Sequence, residues 1–231
     1  QIELRIAAFL SGDEKLIEFF KKHSDVHTAV ASEVFSVPPE QVDSEMRRRA
    51  KVINFGILYG MGVNALQSNL GTTRAEAQKF FNDYFAQFHG IAEYINRTKI
   101  DVHSKGYTTT YFGRRRYFSG IKSPLPYVVS QAERMAINAP IQGTQADIIK
   151  IAMGRIDREI ENRKWQEKVF CILQVHDELV FEIAHDVLEE AVEVLATLME
   201  KIIPPEEIYG ITLKVDREVG DNWGEMKPFI Q

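Results

Sequence analysis

The chain has 231 residues, 45% of them hydrophobic and 26% charged, with a formal net charge of −5. That length supports one large or two small globular domains with a real core, and the acidic balance excludes a uniformly basic binder of polyanions. No apolar run approaches the roughly 20 residues of a bilayer span, so no membrane partner is expected.

The first half reads as helical. Ser11 and Glu14 have capping-box spacing and open a helix over 15–22. Ser24 or Asp25 caps a second helix that runs to Phe35 and is stopped by Val37-Pro38-Pro39. A third covers about 44–59. Thr73 and Glu76 form another capping box for a helix to about Phe88, ended by Gly90, and 91–104 continues as helix to Gly106. Tyr107–Phe112 is a strand by composition. Helices follow over 130–138 and 145–162, then two strands around residues 168–183. A helix over about 187–203 and a strand over 211–219 close the chain. The expected class is α+β, a helical part set upon a small antiparallel sheet backed by helices. The one cysteine, Cys171, lies in an apolar strand run and reads as a core residue. It allows no disulfide within the chain, which suits a reducing, cytoplasmic compartment. The first residue is Gln rather than Met, so the polypeptide is read as processed, truncated or partly recorded.

Charge is unevenly placed. From Arg97 to Arg134 the cations are Arg97, Lys99, Lys105, Arg114, Arg115, Arg116, Lys122 and Arg134, against Asp101 and Glu133. From Glu182 to Glu207 acids dominate, with Lys201 the single cation. One basic side and one acidic side let a molecule hold a polyanion on one face only.

Two segments carry chemistry. In Gln174-Val175-His176-Asp177-Glu178-Leu179-Val180, two adjacent carboxylates stand between β-prone runs, with His176 and Asp177 at the tip of a tight turn. A hairpin can hold such a pair rigid and exposed, as a hard divalent cation requires, although Asp is also an ordinary turn residue. In the second segment, Arg47, Lys51, Phe55 and Tyr59 recur every four residues and form one helix stripe. Over about 18 Å the stripe passes from two cations to two aromatic rings, the order in which a nucleotide presents phosphates and base. An amphipathic helix with its rings in the core would show the same pattern. Gly56 and Gly60 weaken this helix, which makes sense where something approaches its backbone or it must bend.

With both segments in view, the chain resembles the C-terminal part of the polymerase domain of bacterial DNA polymerase I enzymes, family A. Gln1-Ile2-Glu3-Leu4-Arg5 resembles the later part of that family's first motif, Arg47–Gly60 its fingers helix, and Gln174–Glu178 its third motif. Gly113–Tyr117 and Gln142-Gly143-Thr144 are similar to further family segments. The resemblance covers essentially the whole chain. It implies a right-hand architecture with a palm segment at 1–10, fingers at 11–107 and palm at 108–231, the thumb being absent.

The implied reaction is template-directed nucleotidyl transfer from a deoxynucleoside triphosphate (dNTP) to a primer 3′-OH on primer-template DNA, with two Mg²⁺ ions. By the resemblance Asp177 is a metal ligand and Glu178 a secondary one. Arg47, Lys51 and His27 hold the triphosphate, Lys51 also neutralising or protonating the departing pyrophosphate. Phe55 packs on the incoming nucleotide, Tyr59 stacks near the templating base, and Gln1 lies at the nucleotide. Glu3 is the gate that leaves no room for a 2′-hydroxyl. Arg134, Asn138 and Gln142, one helix stripe, are with His176 implied to read the minor groove. Arg114, Arg115 and Arg116 are implied to contact backbone phosphates.

The family's first motif begins with a metal-binding aspartate three positions before Gln1, which this sequence does not include. The chain alone is therefore expected to be inactive and to need an upstream polymerase fragment carrying the thumb and the rest of the palm. A non-catalytic nucleic-acid-binding module and a single-subunit RNA polymerase are the competing readings. Glu3 and Glu178 favour DNA synthesis over the latter.

Overall fold

In a computed structural model, residues 2–22 and 25–229 are described, and they divide into two compact units. The first comprises Glu3–Thr144 with Tyr209–Ile211, and the second comprises Gln145–Ile208 with residues 212–229. Helices dominate, and the described strands form three separate two-stranded antiparallel ladders. The α+β class is borne out.

The first unit begins with α1 (Ile2–Ser11), whose Leu4, Ile6, Ala7 and Ala8 are almost fully buried. Asp13, not Ser11, caps α2 (Glu14–Lys21): its Oδ1 accepts from the Leu16 amide at 3.1 Å. Ser11 instead belongs to α1, where its hydroxyl donates to the Ala8 carbonyl. The helix α3 (Val26–Phe35) is capped by Asp25, while Ser24 lies outside the described residues. Against α3 packs α4 (Ser44–Leu58), capped by Asp43. Then comes α5 (Val63–Leu70), which the sequence reading did not anticipate because it is short and lacks a side-chain cap.

In α6 (Arg74–Gln87) the Thr73–Glu76 capping box is present in full. The Tyr84 hydroxyl donates to buried Asn54 of α4 at 2.7 Å. Gly90 does not end that helix. It lies in the first turn of α7 (His89–Lys105), where an added Cβ would stand 2.6 Å from the Asp13 Cα. Glycine is there for close packing: Asp13 Oδ2 also accepts from the Ile91 amide, tying the starts of α2 and α7 together. Gly106, with φ of +77°, caps α7 as expected.

The strand expected over 107–112 is shorter. β1 (Tyr107–Thr109) pairs with β2 (Arg115–Tyr117), which was not anticipated, through a turn that includes Gly113 at φ +82°. The two helices expected over 130–138 and 145–162 are one helix, α8 (Pro126–Asn162), through Pro140. A proline inside a helix costs about 3 kcal/mol. Here Ala136, Ile137, Ala139 and Ile141 are buried around it, and their packing outweighs the missing amide donor. Val102, Phe118, Ile121, Ala132, Ala136 and Ala139 form a core that joins α7, the segment after β2 and α8.

In the second unit, β3 (Val169–Val175) and β4 (Glu178–Ile183) form the expected hairpin with His176-Asp177 between them. Ile156, Trp165, Val169, Ala191 and Leu195 make its core, with Leu179, Phe181 and Ile183 packed against it and α9 (Leu188–Glu200) contributing. The hairpin is not buried. Phe170, Ile172 and Leu173 remain 46%, 51% and 44% exposed. Cys171 is exposed as well, which corrects its reading as a core residue: the packed cluster takes Val169 from β3 and Leu179, Phe181 and Ile183 from β4 and does not reach along β3 to cover Cys171. Residues 211–217 form no strand. Only β5 (Glu218–Val219) is paired, with β6 (Lys227–Pro228), because among the described residues no strand lies beside the preceding stretch. The single helix-backed sheet is thus replaced by separate ribbons.

Candidate functional site

In the first unit the stripe on α4 forms as its spacing predicts. Arg47, Lys51 and Tyr59 are exposed and Phe55 is half-buried, while Ile53, Ile57 and Leu58 turn to the core. The Phe55 and Tyr59 rings stack at an interplanar angle of 20°. The rings are therefore presented beside the cations rather than lost in the interior. A buried neighbour completes the group: His27, at the start of α3, is 7% exposed and lies 5.8 Å from Phe55, centroid to centroid. Its Nδ1 has no hydrogen-bond partner. Burial pushes the imidazole pKa down; Asp25 opposes this, and Arg47 and Lys51 reinforce it, so His27 is neutral at pH 7.

The Arg47 Nε donates to Asp25 Oδ2 at 2.6 Å. Burial alone would raise the Asp25 pKa, but hydrogen bonds from Arg47, Thr28 and the His27 amide hold it below the usual carboxylate range. Lys51 makes no ion pair among the described residues and presents an ammonium to solvent. Sequence reasoning had missed Asp25 in this role. Its capping position was visible, its second partner was not.

Glu3 on α1 and Tyr59 at the end of α4 are linked, the phenol donating to Glu3 Oε2 at 2.5 Å. Burial, and then the hydrogen bond to Glu3, push the phenol pKa well above its ordinary value. Gln1 lies outside the described residues. The two glycines of α4 are explained by this chain's own side chains. A Cβ at Gly56 would meet the Met61 sulfur at 2.9 Å, and one at Gly60 would meet Arg134 Cγ at 2.9 Å. Gly60 thus lets the end of α4 close onto α8 at Arg134.

The basic segment is divided by the pleat of the β1–β2 ribbon. Arg114 and Arg116 line a cavity of about 200 Å³ with Thr108, Thr110, Gln142 and Gly143. The Arg114 guanidinium donates to the Gly143 carbonyl at 3.0 Å, and Thr108 Oγ1 is buried with no partner. Arg115 points to the other face, 4.7 Å above the Tyr107 ring. The three arginines therefore do not form one patch. Arg134, Asn138 and Gln142 are on α8 as expected. Arg134 reaches Ser130, Asn138 has an unpartnered buried oxygen, and Gln142 borders the cavity.

In the second unit, His176, Asp177 and Glu178 are all exposed at the hairpin tip. His176 adopts φ of +53°, and its carbonyl accepts from the Gln174 amide side chain. Trp223 Nε1 donates to Glu178 Oε1 at 3.0 Å, a partner no sequence signal announced. Both carboxylates are hard oxygen donors of the type Mg²⁺ prefers. Among the described residues, no three His, Cys, Asp or Glu side chains gather as a metal site.

These features agree with the comparisons. The sequence profile of DNA polymerase family A matches residues 1–225. The chain belongs to DNA polymerase family A. It is 43% identical to DNA polymerase I of Pseudomonas aeruginosa over 97% of its own length, and 43% identical to that of Bacillus subtilis over 98%. It spans 24% and 25% of those two relatives, respectively. A solved polymerase domain of Pol1 from M. smegmatis, in complex with DNA primer-template and dNTP, superposes with a TM-score of 0.84 at 40% identity. That match covers 88% of this chain and 36% of the other. Among the described residues of this family A chain, no helix is long and apolar enough to cross a membrane.

Proposed function

We propose that this chain is the fingers and part of the palm of a template-directed DNA polymerase, adding deoxynucleotides to a primer 3′-OH. The observation that carries the reading is the α4 face, where Arg47 and Lys51 stand exposed in line with the stacked Phe55 and Tyr59 rings. On this reading residues 11–107 are fingers, and 1–10 and 108–231 belong to the palm.

Each group then has a task. Arg47 offers a guanidinium fork to phosphate oxygens, and Lys51 a mobile ammonium for the charge that accumulates on departing pyrophosphate. Neutral His27 hydrogen-bonds a phosphate oxygen through a ring N–H without adding a third full charge. Phe55 supports the incoming base and sugar, and Gln1 contacts the same nucleotide. Tyr59 covers the templating position and holds Glu3, whose carboxylate crowds the 2′ position and favours deoxyribose. Arg134, Asn138, Gln142 and His176 donate to minor-groove acceptors common to correct base pairs. Arg114 and Arg116 hold backbone phosphates from one face of the β1–β2 ribbon, and Arg115 holds one from the opposite face.

Asp177 and Glu178 would hold Mg²⁺, which when bound supplies the charge that activates the primer hydroxyl and stabilises the leaving oxygen in a two-ion mechanism. Two carboxylates do not complete such a site. The reading therefore assigns the remaining ligand, an aspartate, to an upstream polymerase portion, and treats the isolated chain as inactive.

Primer extension tests this. The chain is combined with the upstream part of a family A polymerase domain, using primer-template DNA, dNTPs and Mg²⁺. Extension is expected from the combination and not from the chain alone. Asp177→Ala should abolish extension while leaving DNA binding intact. Extension by the isolated chain, or by the Asp177→Ala complex, would refute the assignment, and a preference for ATP over dATP would refute Glu3 as gate.

A further inference from the structure

The proposed triphosphate-binding face contains a negative charge. Asp25 places a carboxylate 2.6 Å from the Arg47 guanidinium, where a phosphate-binding arginine would be expected to face open solvent. By simple electrostatics such a carboxylate should weaken anion binding. Its geometry suggests otherwise.

Asp25 uses both oxygens. Oδ1 accepts the His27 amide at 3.1 Å, the N-cap bond that starts α3. Oδ2 accepts the Thr28 hydroxyl at 2.9 Å and the Arg47 Nε at 2.6 Å. The carboxylate is therefore fixed to a helix terminus before it touches Arg47. It engages only Nε, leaving the two terminal nitrogens, the edge suited to two parallel bonds with a phosphate, unengaged by Asp25. An arginine side chain otherwise has several rotatable bonds to order when it binds, and that ordering is unfavourable. The same residue also sets the start of α3, from which His27 packs against Phe55.

We infer that Asp25 is a positioning residue for nucleotide binding: it anchors the inner edge of Arg47 to the start of α3, so that the outer guanidinium edge and His27 are presented together to a triphosphate. This rests on the reading of α4 as the triphosphate face. The pair is 47% and 40% exposed, so its effect is limited to a factor of about two to five in affinity.

Two accounts of Asp25 predict opposite signs. If it only contributes negative charge, Asp25→Asn should tighten triphosphate binding. If it positions Arg47, Asp25→Asn should weaken it about twofold to fivefold, because an amide nitrogen cannot accept from the guanidinium. Asparagine is itself a good N-cap, so α3 should be preserved and the midpoint of thermal unfolding nearly unchanged.

The test is calorimetric titration of the full chain with inorganic tripolyphosphate and with dATP, for the wild type, Asp25→Asn and Arg47→Ala. The Arg47 Nε–H resonance is followed by NMR. We expect weaker binding of both probes by Asp25→Asn, with the Arg47 resonance losing its hydrogen-bonded shift before any ligand is added. Unchanged or tighter binding by Asp25→Asn, alongside a wild type whose binding depends on Arg47, would overturn the role of Asp25 alone. No binding by the wild type, or binding indifferent to Arg47→Ala, would overturn the triphosphate face and this inference with it.

Discussion

Replacing Gly60 by alanine isolates the contact that seats the end of α4. Gly60 has φ of +70°, in the left-handed region that costs an L-residue about 1–2 kcal/mol. Its added Cβ would also stand 2.9 Å from Arg134 Cγ and 3.1 Å from the Arg134 Cα. The second atom is backbone and cannot swing away, so α4 and α8 must shift or strain, an overpacking cost of about 1–3 kcal/mol. The two terms together predict a loss of about 2–5 kcal/mol.

Gly71→Ala is the control. Gly71 caps α5 in the same unit with φ of +61°, but nothing lies within 4 Å of its Cβ position. Its cost should be the backbone term alone, about 1–2 kcal/mol. Both substitutions reduce the freedom of the unfolded chain equally, so that contribution cancels in the comparison. Urea unfolding followed by circular dichroism gives the two midpoints. The reasoning fails if Gly60→Ala is no more destabilising than Gly71→Ala, since the approach to Arg134 would then carry no energetic weight.

Two further predictions concern titration and accessibility. Burial raises the pKa of Tyr59, Tyr84 and Tyr94, with the hydrogen bond to Glu3 adding to the effect at Tyr59. A raised folded-state pKa gives stability that is present below the unfolded value of about 10 and is lost as pH rises through the folded value. Phenolate absorbance of the native chain should therefore show these three held back until alkaline unfolding, and Tyr84→Phe should leave two. Their ionisation near pH 10 in folded protein would contradict the burial. Cys171 is exposed, although partial burial raises its thiol pKa, so a thiol reagent should label the native chain without denaturant, more slowly than a free thiol. Labelling that requires urea would restore the core reading.

Whatever depends on local spacing could be read from the residues alone. The four-residue period from Arg47 to Tyr59 needs only helical geometry to align its side chains. Asp25 and Thr73 cap their helices because an oxygen at that offset reaches an amide within the same turn. The His176-Asp177 turn follows from two β-prone runs with a short polar break. Local rules failed wherever a distant partner decided the outcome. Gly90 read as a helix stop because nothing nearby in sequence shows that Asp13 packs on it. Residues 130–138 and 145–162 read as two helices because the burial that carries α8 through Pro140 comes from other elements. Residues 211–217 have strand composition but, among the described residues, no strand beside them to pair with. Cys171 is exposed because the cluster packed against the hairpin does not extend along β3 to cover it.

The same division holds at the candidate site. Residue types and their order were legible, because each proposed ligand, whether phosphate, base or Mg²⁺, demands particular side-chain chemistry. The Asp25–Arg47 pair, the Tyr59–Glu3 bond, the Trp223–Glu178 bond and the separation of Arg115 from Arg114 and Arg116 were not. Each depends on where two segments far apart in the chain meet, or on which way a pleat turns, and only the folded arrangement fixes that.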